Sequence, residues 1–467
     1  MCTRLLYFFN TIDTFFLVSS LVSFIVLSSM HVVSGLYLIT TFALLIVWFR
    51  VADFHPLFVL LSLPAYAFAG YLIGANSFAS SLLINGIIFF VVLTLFMGLP
   101  DSIVGRDIKI VAYKWFHCLY TLAPTTVSLP ISIFFSSLMT MGLLANAHFS
   151  SVSFLIFHSW LMAAAIVTWR CRPRNRIPVF EKYPTTEKKA ERVVLLNIDG
   201  CRMDVLRSLP IPNITRLKKL GSTCEGGLAT VYRALTNPAF ASILTGAFPE
   251  EHRVVNNNFG QCIKVEGIPD KVKTKLYGSM HVKHFSKPEW DTTIISLPTT
   301  SIYHCDQEMV DKFKRDFLSA DGTRVFVLDF SEADFLGHGY GSTSQQYKDA
   351  LEHVDSRIGG VYDWLNCVGA LDDTAIIICS DHGMKAIDHS YLLFQEEKFV
   401  PFTILGPGIK ANHYYSRPDG SIIDICANIC YLLGVEYPAQ CHGRVFLEIF
   451  EGIDAIGERE KQISLLN

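Results

Sequence analysis

Asp199, Asp334, His338, Asp381, His382 and His389 are side chains that divalent cations take as ligands, and they come in short, widely separated motifs. Asp381 and His382 stand in Ser380-Asp-His-Gly-Met384, directly after the apolar run Ala375-Ile-Ile-Ile-Cys379. Asp199 follows another such run, Val193-Val-Leu-Leu-Asn-Ile198, and Asp334 shares Asp334-Phe-Leu-Gly-His338 with His338. Two divalent cations a few ångströms apart need about six protein ligands, and Zn²⁺ or Mn²⁺ accepts carboxylate and imidazole together. Asp199, Asp381 and His382 would form one set; Asp334, His338 and His389 would form the other. Singly, each residue is ordinary, since a lone Asp after a strand is more often a helix cap and a lone His more often a surface or satisfied core residue. The joint pattern reverses that reading, because the motifs lie where buried strands would run into loops.

The strands that must position these residues are legible as apolar, β-branched runs: Val193 to Ile198, Thr323 to Phe330, Thr374 to Cys379 and Phe402 to Leu405. Runs without polar alternation are buried on both faces, and helical patterns between them imply an α/β fold with a mostly parallel sheet sandwiched by helices. In such sheets ligands collect beyond the carboxyl ends of the strands, which is where Asp199, Asp334 and Asp381 fall.

A second kind of chain precedes this one. Residues 1–169 hold only nine Asp, Glu, Lys or Arg residues, whereas the rest carries an ordinary soluble density of charge. Apolar stretches at 14–30, 32–49, 56–73, 80–99, 127–145 and 152–169 match or approach the length that crosses a hydrocarbon core of about 30 Å. The expected organisation is therefore an all-α transmembrane domain over 1–169, a basic linker over 170–191 and a catalytic domain over 192–467. A cleaved signal peptide at 14–30 fits less well, because a second span follows at once. Arginines and lysines fall in alternate gaps between the spans, which under the positive-inside rule places the soluble part in the cytoplasm. Nine of the twelve cysteines lie in that part with no obvious pairing framework, which suits reduced thiols. Cys426, Cys430 and Cys441 could be drawn as zinc ligands, but the first two lie in an apolar helix pattern that reads as core. A net charge of −3 gives no reason to expect nucleic acid.

Asn197-Ile-Asp-Gly-Cys-Arg202, Leu235-Thr-Asn-Pro-Ala-Phe-Ala-Ser-Ile-Leu-Thr-Gly246, Pro249-Glu-Glu-His252, Asp334-Phe-Leu-Gly-His338 and Ser380-Asp-His-Gly-Met384 together resemble the alkaline phosphatase superfamily. The similarity is greatest to its type I phosphodiesterases and nucleotide pyrophosphatases and covers roughly 192–450. The resemblance implies that Thr236 is the nucleophile and a ligand of the metal on Asp199, Asp381 and His382. It implies that the second metal, on Asp334, His338 and His389, holds a phosphate oxygen. It implies that Asn257 hydrogen-bonds the phosphoryl group, with Asn256 and Asn258 as alternatives in register. Read without it, Thr236 is a helix N-cap and Asn257 a turn residue. The family's third histidine stands in Gly-X-His-Gly, whereas His389 here stands in Ile387-Asp-His-Ser390, and His442 competes for the role.

These motifs imply a membrane-anchored phosphodiesterase with two divalent cations, Zn²⁺ or Mn²⁺, and a phosphothreonine intermediate. The substrate would be a phosphodiester, a lipid or nucleotide among them, with membrane lipids as neighbours. Membrane-bound relatives that transfer phosphoethanolamine or phosphoglycerol to lipid-linked acceptors offer an alternative; such relatives generally work outside the cytoplasm, against the charge distribution. Sulfatases require Cys-X-Pro-X-Arg, which Thr236 and Phe240 do not supply. An inactive membrane scaffold is the reading from another class, and the complete ligand set opposes it.

Overall fold

The computed structural model describes short segments between 43 and 87, residues 149–175, residue 183, and 187–453 apart from 256, 258–260, 296–299, 301, 320, 387–388 and 390. These residues fall into two compact units that divide between Pro173 and Arg174.

The first unit contains helices α1 (Pro56–Ile73) and α2 (Ser151–Cys171), which coincide with two of the six expected spans. Tyr66 of α1 meets Phe157 of α2 edge-on with ring centroids 5.6 Å apart, and Trp160 Nε1 donates to the Leu61 carbonyl at 2.7 Å. Among the described residues α2 is the one helix long and apolar enough to cross a membrane, by length and composition. In α1 the apolar part is the shorter Leu60–Leu72. The stretches expected at 14–30, 32–49, 80–99 and 127–145 lie wholly or largely outside the described residues, so a six-span domain is an expectation from sequence alone.

The second unit is built on β1 (Arg192–Ile198), β2 (Gly221–Cys224), β3 (Leu228–Ala229), β4 (Thr274–Gly278), β5 (Asp291–Ile294), β6 (Val325–Phe330), β7 (Thr374–Cys379), β8 (Phe399–Val400), β9 (Phe402–Leu405) and β10 (His413–Tyr415). Eight of them form one sheet in the order β10-β2-β9-β7-β1-β6-β4-β5, and β3 pairs with β8 apart from it. The neighbours β7, β1, β6, β4 and β5 are mutually parallel. Along β1, Val193 and Leu195 enter the core on one face while Val194, Leu196 and Ile198 enter the core on the other, the two-sided burial that its unbroken apolar run predicts. Helices α3 (Thr236–Thr245) and α7 (Asp424–Leu433) pack on the first face, and α4 (Ile302–Phe317) and α6 (Gln345–Cys367) on the second. The short α5 (Glu332–Tyr340) follows β6 directly.

One strand departs from the parallel expectation. β9 runs antiparallel between β7 and β2, with Cys379 opposite Phe402. The chain leaves β7 at Cys379 and re-enters the sheet beside that same end at Phe402, so β9 runs backwards. The described parts of 170–191 in this unit are tied down. Asn175 exchanges hydrogen bonds with the Tyr232 backbone at 2.9 and 3.0 Å, and Ala190 is buried with its N–H on the Leu432 carbonyl at 2.9 Å.

Candidate metal centre

Three parallel strands deliver the acidic residues to one place. Register pairs Asn197 of β1 with Asp329 of β6 and with Cys379 of β7, so the residues just beyond these ends are neighbours. Asp199 leaves β1 into a turn at Gly200, whose φ of +66° is left-handed. A Cβ on Gly200 would stand 2.5 Å from Asp334 Oδ1, so glycine is required twice over, by conformation and by space. Tyr347 of α6 holds that turn, donating from its hydroxyl to the Gly200 carbonyl at 2.8 Å and accepting from Arg202 N at 2.8 Å.

Asp334 and His338 lie on α5 four residues apart and therefore on one helix face. The start of α5 is fixed by Asp306, whose buried carboxylate accepts from Ser331 N at 3.0 Å and Glu332 N at 3.2 Å. Burial raises the Asp306 pKa to about 6, against the opposing pull of Arg357. Asp381 and His382 follow β7, and Thr230 Oγ1 donates to the Asp381 carbonyl at 2.5 Å.

The side chains converge. His382 Nε2 is 3.3 Å from Asp199 Oδ1, 3.4 Å from Asp381 Oδ2 and 3.2 Å from Thr236 Oγ1. His338 Nε2 is 3.4 Å from Asp334 Oδ2 and 3.1 Å from His389 Nε2, and His389 Nε2 is 3.6 Å from Asp334 Oδ1. The His382 and His389 rings stack 3.7 Å apart, so the two sets adjoin. Asn257 Oδ1 accepts from Asn237 N at 2.9 Å, beside Thr236 at the start of α3. His442 lies elsewhere, paired with Glu251 at 2.8 Å. Cys426, Cys430 and Cys441 are buried in the core, and they form no metal-ligand group among the described residues.

The donor chemistry fits divalent cations. His382 Nδ1 lies 3.0 Å from the Gly383 carbonyl and His389 Nδ1 lies 2.5 Å from the Ala234 carbonyl. A carbonyl only accepts, so both rings carry the proton on Nδ1 and, when neutral, present a bare Nε2 lone pair to the carboxylates. Asp199 Oδ1, Asp334 Oδ1 and both Asp381 carboxylate oxygens are buried without hydrogen-bond partners. Left so, lone pairs and carboxylates repel, and the charged forms are costly in a buried site. Accordingly burial, then Asp334 and Asp381, push the Asp199 pKa well above the usual carboxylate range. Burial likewise lifts Asp381 to about 6, against the opposing effect of His382 and with Asp329 and Asp334 adding to the rise, and drives His389 well below the ordinary imidazole value. Cations between these atoms remove the conflict.

Two residues beside this centre have no motif to announce them. Asp329 is a buried acid inside an otherwise apolar strand, and His281 follows β4; with Asp199 they form another group of clustered donor atoms. An Asp in a two-sided buried strand was the available signal.

The model of the type I phosphodiesterase / nucleotide pyrophosphatase family matches residues 193–293 and 269–439, together just over half of the chain. The chain belongs to that family. Rat ectonucleotide pyrophosphatase/phosphodiesterase family member 7 is 24% identical over 254 residues, 47% of this chain and 56% of the relative. The bis(5'-adenosyl)-triphosphatase enpp4 of Mus musculus is 26% identical over 248 residues, 45% of this chain and 50% of the relative. The chain thus spans about half the length of these curated relatives. Among solved structures, murine ectonucleotide pyrophosphatase/phosphodiesterase 5 in an inactive form with AMP is similar at 15% identity and a TM-score of 0.45, over 53% of this chain and 96% of that one. A protein in the alkaline phosphatase superfamily from Vibrio parahaemolyticus is similar at 19% identity and a TM-score of 0.43, over 56% of this chain and 70% of that one.

Proposed function

We propose that this chain is a metal-dependent phosphodiesterase in which Thr236 is the nucleophile. The single observation that carries the reading is the convergence of Thr236 Oγ1 with Asp199, Asp381 and His382, next to Asp334, His338 and His389. Asp199, Asp381 and His382 would hold one divalent cation and Asp334, His338 and His389 the second, Zn²⁺ or Mn²⁺ by the mixed oxygen and nitrogen donor set. Such a pair supplies Lewis acidity and neutralises charge on the phosphoryl oxygens.

The chain's own residues do the rest. Thr236 opens α3, where unpaired backbone N–H groups favour an anion, so the hydroxyl is presented at a phosphate-binding helix terminus. Asn257 Oδ1 accepts from Asn237 N, which leaves Asn257 Nδ2 as the donor for a phosphoryl oxygen. Thr236 Oγ1 forms a P–O bond as the alcohol of the diester departs with a proton. Water then breaks the phosphothreonine ester, releasing a monoester and restoring the hydroxyl. Purified full chain with Zn²⁺ or Mn²⁺ is expected to cleave bis-p-nitrophenyl phosphate and Thr236→Ala to lose that turnover by about 10³-fold or more. Unchanged turnover in Thr236→Ala removes the nucleophile from the reading.

The low charge of residues 1–169 and the apolar α2 favour a second form of the same chemistry, in which the chain is anchored in a membrane by several spans and the acceptor is a lipid-linked alcohol rather than water. Mass analysis of products with candidate alcohols present separates transfer from hydrolysis. Retention of the chain in the membrane fraction after carbonate extraction tests the anchor, and cysteine labelling in intact against lysed cells reports the side on which the catalytic part lies.

A further inference from the structure

We infer that Arg357 is a positioning residue for the second cation set, holding the helix that carries Asp334 and His338 at the distance from His389 that a shared cation needs. That role rests on the two-cation reading. Asp334 and His338 both stand on α5, which is nine residues long. A helix that short has little stability of its own, so tertiary contacts fix its place. His389 reaches the set from another segment, where the Ala234 carbonyl accepts from its Nδ1. The separations of 3.1 Å between His338 and His389 Nε2 and 3.6 Å between Asp334 Oδ1 and His389 Nε2 therefore depend on where α5 is anchored.

Charge anchors its amino end. Glu332, the first residue of α5, is fully buried, and α6 engages both of its carboxylate oxygens. Arg357 Nη1 donates to Glu332 Oε2 at 2.6 Å, and His353 Nδ1 lies 2.9 Å from Glu332 Oε1. His353 and Arg357 are four residues apart on α6 and so share a helix face. The same guanidinium lies 3.8 Å from Asp306 Oδ2, the carboxylate that accepts from Ser331 N and Glu332 N, and donates from Nη2 to the Tyr303 carbonyl at 3.2 Å. One side chain thus joins α4, α5 and α6 just two residues before Asp334. A guanidinium offers five donors in a fixed fork, which an ammonium cannot match.

Stability alone is a poor account of this network. Buried ion pairs are costly to desolvate, and apolar residues of similar size often serve a fold as well. What two buried carboxylates and a guanidinium add is a fixed direction for the start of α5, and the Asp334 carboxylate moves with that start. The first set does not share this support, since Asp199 follows β1 and Asp381 and His382 follow β7. Loss of Arg357 should therefore weaken one set and spare the other, a selectivity that general destabilisation does not produce.

Mn²⁺ titration of purified full chain tests this in two backgrounds, with circular dichroism to verify folding. Asp381→Asn leaves only the second set complete, and Asp334→Asn leaves only the first. Adding Arg357→Met is expected to weaken Mn²⁺ binding by about 10-fold or more in the Asp381→Asn background and to leave it within about 2-fold in the Asp334→Asn background. Arg357→Lys keeps the buried charge and serves if the methionine variant does not fold; its expected loss at the second set is smaller, about 3-fold or more, because one ammonium cannot hold all three partners. With both sets intact, turnover of bis-p-nitrophenyl phosphate by Arg357→Met should fall at scarce Mn²⁺ and recover as Mn²⁺ is raised. Equal losses in the two backgrounds, or none in either, overturn the role. A second set that binds no Mn²⁺ even with Arg357 in place overturns the two-cation reading and this role with it, whereas one that binds equally well without Arg357 overturns this role alone.

Discussion

Which ring nitrogen carries the proton decides what each histidine here can do. His382 and His389 give Nδ1–H to carbonyls and so point bare Nε2 atoms at carboxylates, whereas His442 spends its Nε2 on Glu251. His389→Ala is therefore expected to lose one bound cation and at least about 100-fold in turnover, in line with removing a charge-stabilising group from a reacting centre. His442→Ala breaks only a partly exposed ion pair worth about 0–1 kcal/mol, and turnover within a few-fold of wild type is the expected result. His252 behaves differently again. It is buried, accepts from Val254 N through Nδ1 at 3.2 Å and faces Ser242 Oγ through Nε2 at 3.0 Å, and burial lowers its pKa to about 3. The unfolded chain binds a proton at about pH 6.5 that the folded chain refuses, so this stability is present above about 6.5 and is lost as pH falls towards 3. Urea unfolding of His252→Gln between pH 7 and pH 4 should show a flatter acid limb than wild type; an equal slope removes His252 as its source.

At the scale of elements, the site depends on strand ends that stop in register and on turns that accept no side chain. Gly200 joins β1 to the loop carrying Arg202 while lying against Asp334, so Gly200→Ala forces both a strained φ and a displaced carboxylate. A cost of about 1–3 kcal/mol in stability is expected, with Mn²⁺ affinity reduced by about 10-fold or more, measured by thermal unfolding and cation titration. The strands that carry the ligands were legible in sequence because they are central and buried on both faces, and β1, β6, β7 and β9 fall within two residues of the expected runs. The short strands β2, β4, β5 and β10 were not, because segments such as Thr274-Lys-Leu-Tyr-Gly278 carry no long apolar run and pair only through neighbours already in place. Direction was equally hidden in β9: nothing in Phe-Thr-Ile-Leu says which way it runs, and only its pairing with β7, Cys379 opposite Phe402, shows it.

Across the whole molecule, the buried carboxylates of the centre make the metal-free state a strained one. Asp199 and Asp381 both have raised pKa values from burial, with surrounding acids adding to the rise, so without cations they oppose folding at neutral pH. A cation at 100 times its Kd stabilises by about 2.7 kcal/mol, which for a domain of this size raises Tm by about 5–10 °C. Scanning calorimetry of chelated and Zn²⁺-loaded chain should show that difference, and identical traces would remove the cations from the stability of the fold. The unit that begins at Arg174 and the apolar unit before it separate four residues beyond the boundary that composition places at 169/170. Charge density is a property of local sequence, whereas the backbone continues α2 to Cys171 and then docks Asn175 on Tyr232.

By itself the sequence determined the ligand types, their order along the chain and the strands that end beside them, because burial on two faces and a hydrophilic break are local properties. Its family motifs pointed to Thr236 and to six candidate ligand residues, whose side chains the fold brings together. Tertiary structure alone decided three matters. It placed His389 rather than His442 at Asp334, through the Ala234 carbonyl, 155 residues away in the chain. It set Asp329 and His281 beside Asp199, through the alignment of β1, β6 and β4. It turned β9 against its neighbours. Each is a contact between segments far apart in sequence, where periodicity carries no information and only the packed sheet brings the donor atoms within reach.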